Sequence, residues 1–181
     1  MNTTYLNRII SNFDVNASNL SYKRIDTGYI NDSFYVIKDG EIKYVLQKIN
    51  TNVFKKIEAI KNNINLSINK LDDINYHKIK FINTSTEGVF YNSNKDYWRL
   101  MEYVRGSYTK NNAENINDAF EAGRILSLFH LLLKDEDVKL YIDTLDNFHK
   151  LPYRITEFEV ALENSNNNLI KECSEEISYS K

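Results

Sequence analysis

Asp39-Gly40 stands between two runs of alternating apolar and polar side chains, and no other feature narrows the fold of this chain as much. A two-residue loop of this kind requires positive φ at both positions, which Asp tolerates and Gly adopts freely, so the flanking runs turn back on each other as antiparallel strands. Before the turn, residues 32–38 set Phe34 and Val36 on one face and Tyr35 and Ile37 on the other. After it, residues 42–49 are the returning strand. Residues 20–25 alternate in the same way, and Thr27-Gly28 breaks that run ahead of Asp32. Residues 20–49 thus predict three antiparallel strands.

On either side the period lengthens. Tyr5, Leu6, Ile9, Ile10 and Phe13 make one helical stripe, with Thr3 or Thr4 as its cap. Beyond the strands, Thr51 and Asn52 are capping residues for a stripe of Phe54, Ile57, Ile60 or Lys61, Ile64, Ile68 and Leu71. That spacing predicts an amphipathic helix of about five turns. Residues 76–83 alternate again, and residues 88–91 and 96–104 read as a second hairpin around Asn92-Ser93-Asn94. The order is strand-strand-strand, helix, strand-strand.

After Gly106 the text changes to a polar linker and then helices. Asn117 is a cap for residues 118–134, whose second half, 125–133, is apolar on almost every side and calls for burial in a larger body. Residues 151–162 are helical with Pro152 in the first turn, and residues 169–180 are a last short helix. Two regions follow: a sheet with one long helix over 1–105, and a linker with helices over 106–181. The fold class is α+β.

Composition excludes several functions. Lys plus Arg is 23 against 25 for Asp plus Glu, a net charge of −2, so the basic excess of a nucleic-acid binder is missing. Cys173 is the one cysteine, which removes internal disulfides, and no Cys/His group has zinc-ligand spacing. No apolar run has the roughly 18 residues a membrane span needs. The N-terminus also lacks the pattern of a signal peptide. The expected location is the cytoplasm.

Several separated stretches between residues 20 and 162 carry a resemblance. They are Gly28-Tyr-Ile-Asn-Asp-Ser-Phe-Tyr-Val, Tyr44-Val-Leu-Gln-Lys-Ile-Asn, Val53-Phe with Glu58-Ala and Asn63-Ile, and Arg99-Leu-Met-Glu-Tyr-Val-Arg-Gly. Further on come Ala119-Phe-Glu-Ala-Gly-Arg, Phe129-His130, and Asn147-Phe-His-Lys-Leu-Pro-Tyr-Arg followed by Phe158-Glu159. In this order they resemble the phosphotransferase family that includes aminoglycoside phosphotransferases and choline kinases, and within it the N-acetylhexosamine 1-kinase type. The resemblance implies a kinase-like N-lobe, an antiparallel sheet plus one long helix, followed by the first helices of an incomplete helical C-lobe. It implies ATP with Mg²⁺ and a small sugar-like substrate.

It also assigns roles. The turn with Gly28, Asn31, Asp32 and Ser33 would cover the nucleotide phosphates through backbone N–H groups and small polar side chains. Gln47 stands where kinases place a phosphate-contacting lysine, a departure that removes a charge. Lys48 points to the opposite face by alternation. Asn63 on the long helix would be the neutral counterpart of the usual glutamate. Met101, Glu102 and Val104 would form the hinge that holds the purine through main-chain groups. His149 and Arg154, with Tyr153, would border a sugar pocket. Read without the resemblance, the Gly28 turn is a plain hairpin connection, Gln47 a residue on a solvated face, the hinge a strand exit, and His130 a core histidine.

The family's catalytic aspartate sits in a loop resembling His-Gly-Asp or His-Asn-Asp, with an asparagine five residues later and a further Mg²⁺-binding aspartate. No Asp-x-x-x-x-Asn occurs after residue 106, and none of His77, His130 or His149 leads into such a loop. The expectation is the N-terminal portion of a sugar phosphotransferase, inactive by itself. The alternatives are a non-catalytic nucleotide- or partner-binding module, or one half of a split kinase, with an oligomer or partner chain covering the apolar 125–133 segment.

Overall fold

The computed structural model describes residues 2–86 and 88–180. The chain divides into two compact units, Met1–Thr144 and Leu145–Lys181. The first is built on a six-stranded antiparallel sheet.

Its first three strands are β1 (Leu20–Ile25), β2 (Asp32–Lys38) and β3 (Glu41–Ile49). Asp39 and Gly40 take φ of 53° and 79°, so the Asp-Gly loop closes β2 onto β3 with Lys38 opposite Glu41. After helix α2 (Ile57–Ser67) come β4 (Phe81–Ile82), β5 (Tyr91–Ser93) and β6 (Asp96–Glu102). The spatial order is β1-β2-β3-β6-β4, and β5 also pairs with β6. The second hairpin turns at Asn94-Lys95, with φ of 51° and 77°, and not around Asn92-Ser93-Asn94. Asn92 serves that turn from the strand, its Oδ1 accepting from the Lys95 N–H at 3.1 Å.

The alternation over residues 76–83 yields only two paired residues. β5 occupies the Asp96–Trp98 half of that edge of β6, which leaves Leu100 and Met101 for Ile82 and Phe81.

Helix α1 (Thr3–Ile10) is capped by Asn2, whose Oδ1 accepts from the Tyr5 N–H at 2.9 Å. The cap falls on Asn2 and not on Thr3 or Thr4, because Asn2 is the residue with extended backbone ahead of the first turn. Leu6, Ile9 and Ile10 seal one sheet face made of Phe34, Val36, Leu46, Trp98 and Leu100. Each large apolar side chain buried here contributes about 1.5–3 kcal/mol, so this layer is the main source of stability.

The opposite face carries a smaller cluster of Ile49, Ile57 and Phe90 with Phe54, Ile60, Ile64 and Tyr97 beside it. α2 has 11 residues and is shorter than its apolar stripe suggests. Asn50–Phe54 forms a turn in which the Val53 and Phe54 N–H groups both donate to the Asn50 carbonyl. Thr51 and Asn52 therefore lie in a turn, and the helix starts after Lys56.

The rest of the chain is helical. α3 (Ile116–Leu132) is capped by Asn115, two residues before Asn117, through its Oδ1 and the Asp118 N–H at 2.9 Å. A 3-10 turn spans Val138–Leu140. α4 (Leu151–Asn164) has Pro152 in its first turn. The single helix expected over 169–180 is two, α5 (Asn167–Glu172) and α6 (Ser174–Ser180), broken at Cys173. The architecture is thus mixed α+β, an antiparallel sheet followed by several helices. No helix among the described residues is long and apolar enough to cross a membrane.

Candidate functional site

Alternation along β6 sends Trp98 and Leu100 toward α1 and Arg99 to the other face. In register, Ser33 on β2 lies opposite Gln47 on β3, and Gln47 lies opposite Arg99 on β6. The three form one row across the sheet. Gln47 Nε2 donates to Ser33 Oγ at 2.9 Å, and Gln47 Oε1 accepts from Arg99 Nε at 2.9 Å and Nη2 at 2.6 Å. Gln47 is thus part-buried and bonded on both sides, not a strand residue on a solvated face. Lys48 does point to the opposite face, where it pairs with Asp96 at 2.8 Å.

The Arg99 guanidinium lies 5.7 Å from the centre of the Phe81 ring. Among the described residues no carboxylate forms an ion pair with it. Burial pulls its pKa below the ordinary arginine value, yet a guanidinium keeps its proton at any physiological pH. The structure therefore holds a partly desolvated cation compensated, among the described residues, by an amide oxygen and a ring face.

Arg99 opens onto a cavity of about 740 Å³. Its walls are mainly apolar, with Ile49, Phe54, Ile64, Phe81 and Phe129 contributing, and Asn31, Asn63, His130 and Lys134 supply polar groups. Such a volume falls within the range of about 300–1,000 Å³ usual for small-molecule sites. His130 is exposed at this cavity and is not a core histidine. Asn63 does not meet Gln47. Its Nδ2 donates to the Ile142 carbonyl at 2.8 Å and its Oδ1 accepts from the Ile142 N–H at 3.0 Å. Neighbouring Asn62 donates to the Leu140 carbonyl at 2.9 Å, and Lys70 pairs with Glu136 at 2.9 Å. These contacts hold residues 136–142 against α2 as one wall of the cavity.

Asn31 and Ile49 are shared with a second, polar cleft of about 460 Å³, to which Gly28 and Asp32 belong. The turn before β2 is tied down there: Asn31 Oδ1 accepts from the Asn50 N–H at 2.9 Å, and Asn50 Nδ2 donates to the Ile30 carbonyl at 3.2 Å. Asp32 pairs with Arg24 at 2.7 Å. A side chain at Gly28 would meet only the Asn31 carbonyl at 3.6 Å, an ordinary contact, and Tyr29 at the tip is fully exposed.

Glu102 and Val104 line a third groove, of about 330 Å³, with Tyr76 and His77. The Glu102 N–H donates to the Lys80 carbonyl at 2.9 Å and its carboxylate pairs with Lys80 at 2.6 Å. Met101 is buried opposite Phe81 and Val45. In the second unit, His149 packs edge-on to Phe148 at 4.4 Å, while Arg154 pairs with Glu157, donates to the Asn147 carbonyl and lies over Tyr153.

The structure thus joins Ser33 to Gln47, brings Asn31 and Asn63 to one cavity, and sets Glu102 and Val104 in a groove of their own. Arg99 is the residue that sequence reasoning missed. Its signal was present, since alternation places Arg99 and Met101 on one face, but their pairing with β3 is a matter of sheet order. Among the described residues no three His, Cys, Asp or Glu side chains gather as a metal site. No family model matches the chain.

Proposed function

We propose that this chain is the nucleotide-binding part of an ATP-dependent phosphotransferase acting on a small molecule, with an N-acetylhexosamine-like sugar as the substrate class. The observation that supports this most directly is the row Ser33–Gln47–Arg99. It links the strand that follows the Gly28 turn to a cation at the wall of a ligand-sized cavity. A kinase-like small lobe is the fold reading that agrees with the order of three strands, a helix and further strands. In it, the unneutralised Arg99 supplies the charge that glutamine at position 47 does not.

Mg²⁺ belongs to this reading as the partner of the nucleotide's phosphates. The described residues do not by themselves fit a metal, and no Asp-x-x-x-x-Asn follows residue 106. The expected result is therefore binding without turnover. Calorimetric titration with ATP should give saturable binding, and a coupled assay with N-acetylglucosamine should give no steady phosphorylation. A chain that ignores ATP at millimolar concentration is not a nucleotide module.

The second reading is a non-catalytic partner-binding module or one half of a split kinase. It is favoured by α3, where Phe120 is 64% and Leu131 57% exposed despite their apolar character. Sedimentation analysis tests it: a monodisperse monomer that also binds ATP speaks against a partner-covered surface.

A further inference from the structure

An apolar cavity rarely contains a cation that no anion neutralises. Desolvating a charge costs several kcal/mol unless something compensates it. Arg99 has two of its N–H groups on Gln47 Oε1, and its guanidinium rests over Phe81. Gln47 is in turn fixed by Ser33, itself buried at 7% exposure. The fork is therefore held in one orientation by neutral groups, and its remaining donors carry an unspent full charge. The same cavity receives Lys134, also without an ion pair among the described residues. Its one carboxylate, Glu136, is engaged by Lys70 at 2.9 Å and by the Tyr141 hydroxyl at 3.4 Å. The cavity is thus lined by two cations and one carboxylate that is already paired, and its mainly apolar walls are suited to a flat or apolar body.

We propose that Arg99, positioned by Gln47, is the anchor for a phosphate or polyphosphate group of a ligand whose apolar part fills this cavity. Phosphate is named because a guanidinium fork matches its oxygens geometrically and keeps its charge when desolvated, where a lysine would not. The choice of phosphate over carboxylate rests on the nucleotide reading above, but the anion site itself does not. Gln47 is a positioning residue in this scheme.

The test uses the whole chain and three probes: inorganic tripolyphosphate, ATP and adenosine. Binding is followed by calorimetry and by the NMR signal of the Arg99 Nε–H group. Tripolyphosphate should bind the wild type and shift that signal. Arg99→Met should weaken tripolyphosphate by about tenfold or more, and Arg99→Lys by less, since one charged hydrogen-bonded contact is of that size. Gln47→Glu, which supplies a counter-charge to the guanidinium, should weaken it too while leaving the fold intact by circular dichroism. The NMR readout on unmutated protein keeps the test valid if Arg99→Met fails to fold. If tripolyphosphate binds through Arg99 and ATP does not bind, the anion site stands and the nucleotide reading falls. If ATP or adenosine binds while the Arg99 signal stays still and Gln47→Glu has no effect, the inference about Arg99 is overturned and the nucleotide reading survives. No binding of tripolyphosphate or ATP overturns both.

Discussion

Replacing Gln47 by Met removes the centre of the polar row while nearly keeping its volume. Three hydrogen bonds are lost: two charge-assisted bonds from Arg99 and one donated to Ser33. Hydrogen bonds to charged groups contribute about 1.5–3 kcal/mol, and neutral ones about 1. Arg99 opens onto a cavity of about 740 Å³, large enough to admit water in place of the lost amide, so part of its loss should be recovered. Ser33 is buried and recovers little. The net cost should be about 2–3 kcal/mol. With a urea slope of about 1–3 kcal/mol per molar, the midpoint should fall by about 1 M or more. Trp98 is the single tryptophan, is fully buried, and sits beside Arg99 in β6, so its fluorescence reports unfolding of the sheet directly. Gln47→Glu is the contrasting variant. Ser33 Oγ can turn its hydrogen to the new carboxylate, and the guanidinium gains a charged acceptor, so the midpoint should hold or rise. If Gln47→Met leaves the midpoint unchanged, or if Gln47→Glu is as unstable as Gln47→Met, the hydrogen-bond reasoning is wrong.

Other perturbations address the scaffold. Gly40→Ala places a side chain where φ is +79° but where nothing lies within 4 Å, so only backbone strain of about 1–2 kcal/mol is expected, read by thermal melting. Asn63→Ala removes both bonds to Ile142 and should free residues 136–142 for hydrogen exchange and proteolysis while Trp98 fluorescence stays native. Leu46→Ala opens a hole in the sealed face under α1 and should cost about 2–5 kcal/mol in urea unfolding. Burial pushes the Tyr22 hydroxyl, which donates to Asn7 Oδ1, from 10.0 up to about 12. A raised folded value means that the stabilisation is whole below pH 10 and is lost as pH climbs from 10 to about 12. The urea midpoint should fall across that window, and less steeply in Tyr22→Phe.

Much of the sheet was legible because its signals are local. Asp39-Gly40 has only one common use between alternating strands, and the strands it joins appear where alternation put them. The stripe of α1 and Pro152 at the start of α4 are local in the same sense. Boundaries were less legible where several residues share one propensity. Asn2, Thr3 and Thr4 all cap helices well, and the same holds for Asn115 and Asn117. The approach of the chain decides which has the extended backbone. For α2, Thr51 and Asn52 lost their capping role to a turn around Asn50.

The site divides along the same line. Sequence by itself set which residue types are present and which face of a strand each one takes: Gln47 away from Lys48, Arg99 away from Trp98 and Leu100. It also determined that no lysine stands at position 47. Which strand lies beside which was a matter of tertiary structure, because β3 and β6 are separated by α2, β4 and β5 and meet only when the hydrophobic face under α1 is closed. That single adjacency carries Arg99 to Gln47 across 52 residues of chain. It turns a neutral position into the seat of a cation. Likewise Asn63, read as a partner for Gln47, was claimed by the backbone of Ile142 once residues 136–142 packed on α2. Periodicity acts over one or two neighbours and survives in any context, whereas a hydrogen-bonded row exists only where burial has already chosen the neighbours.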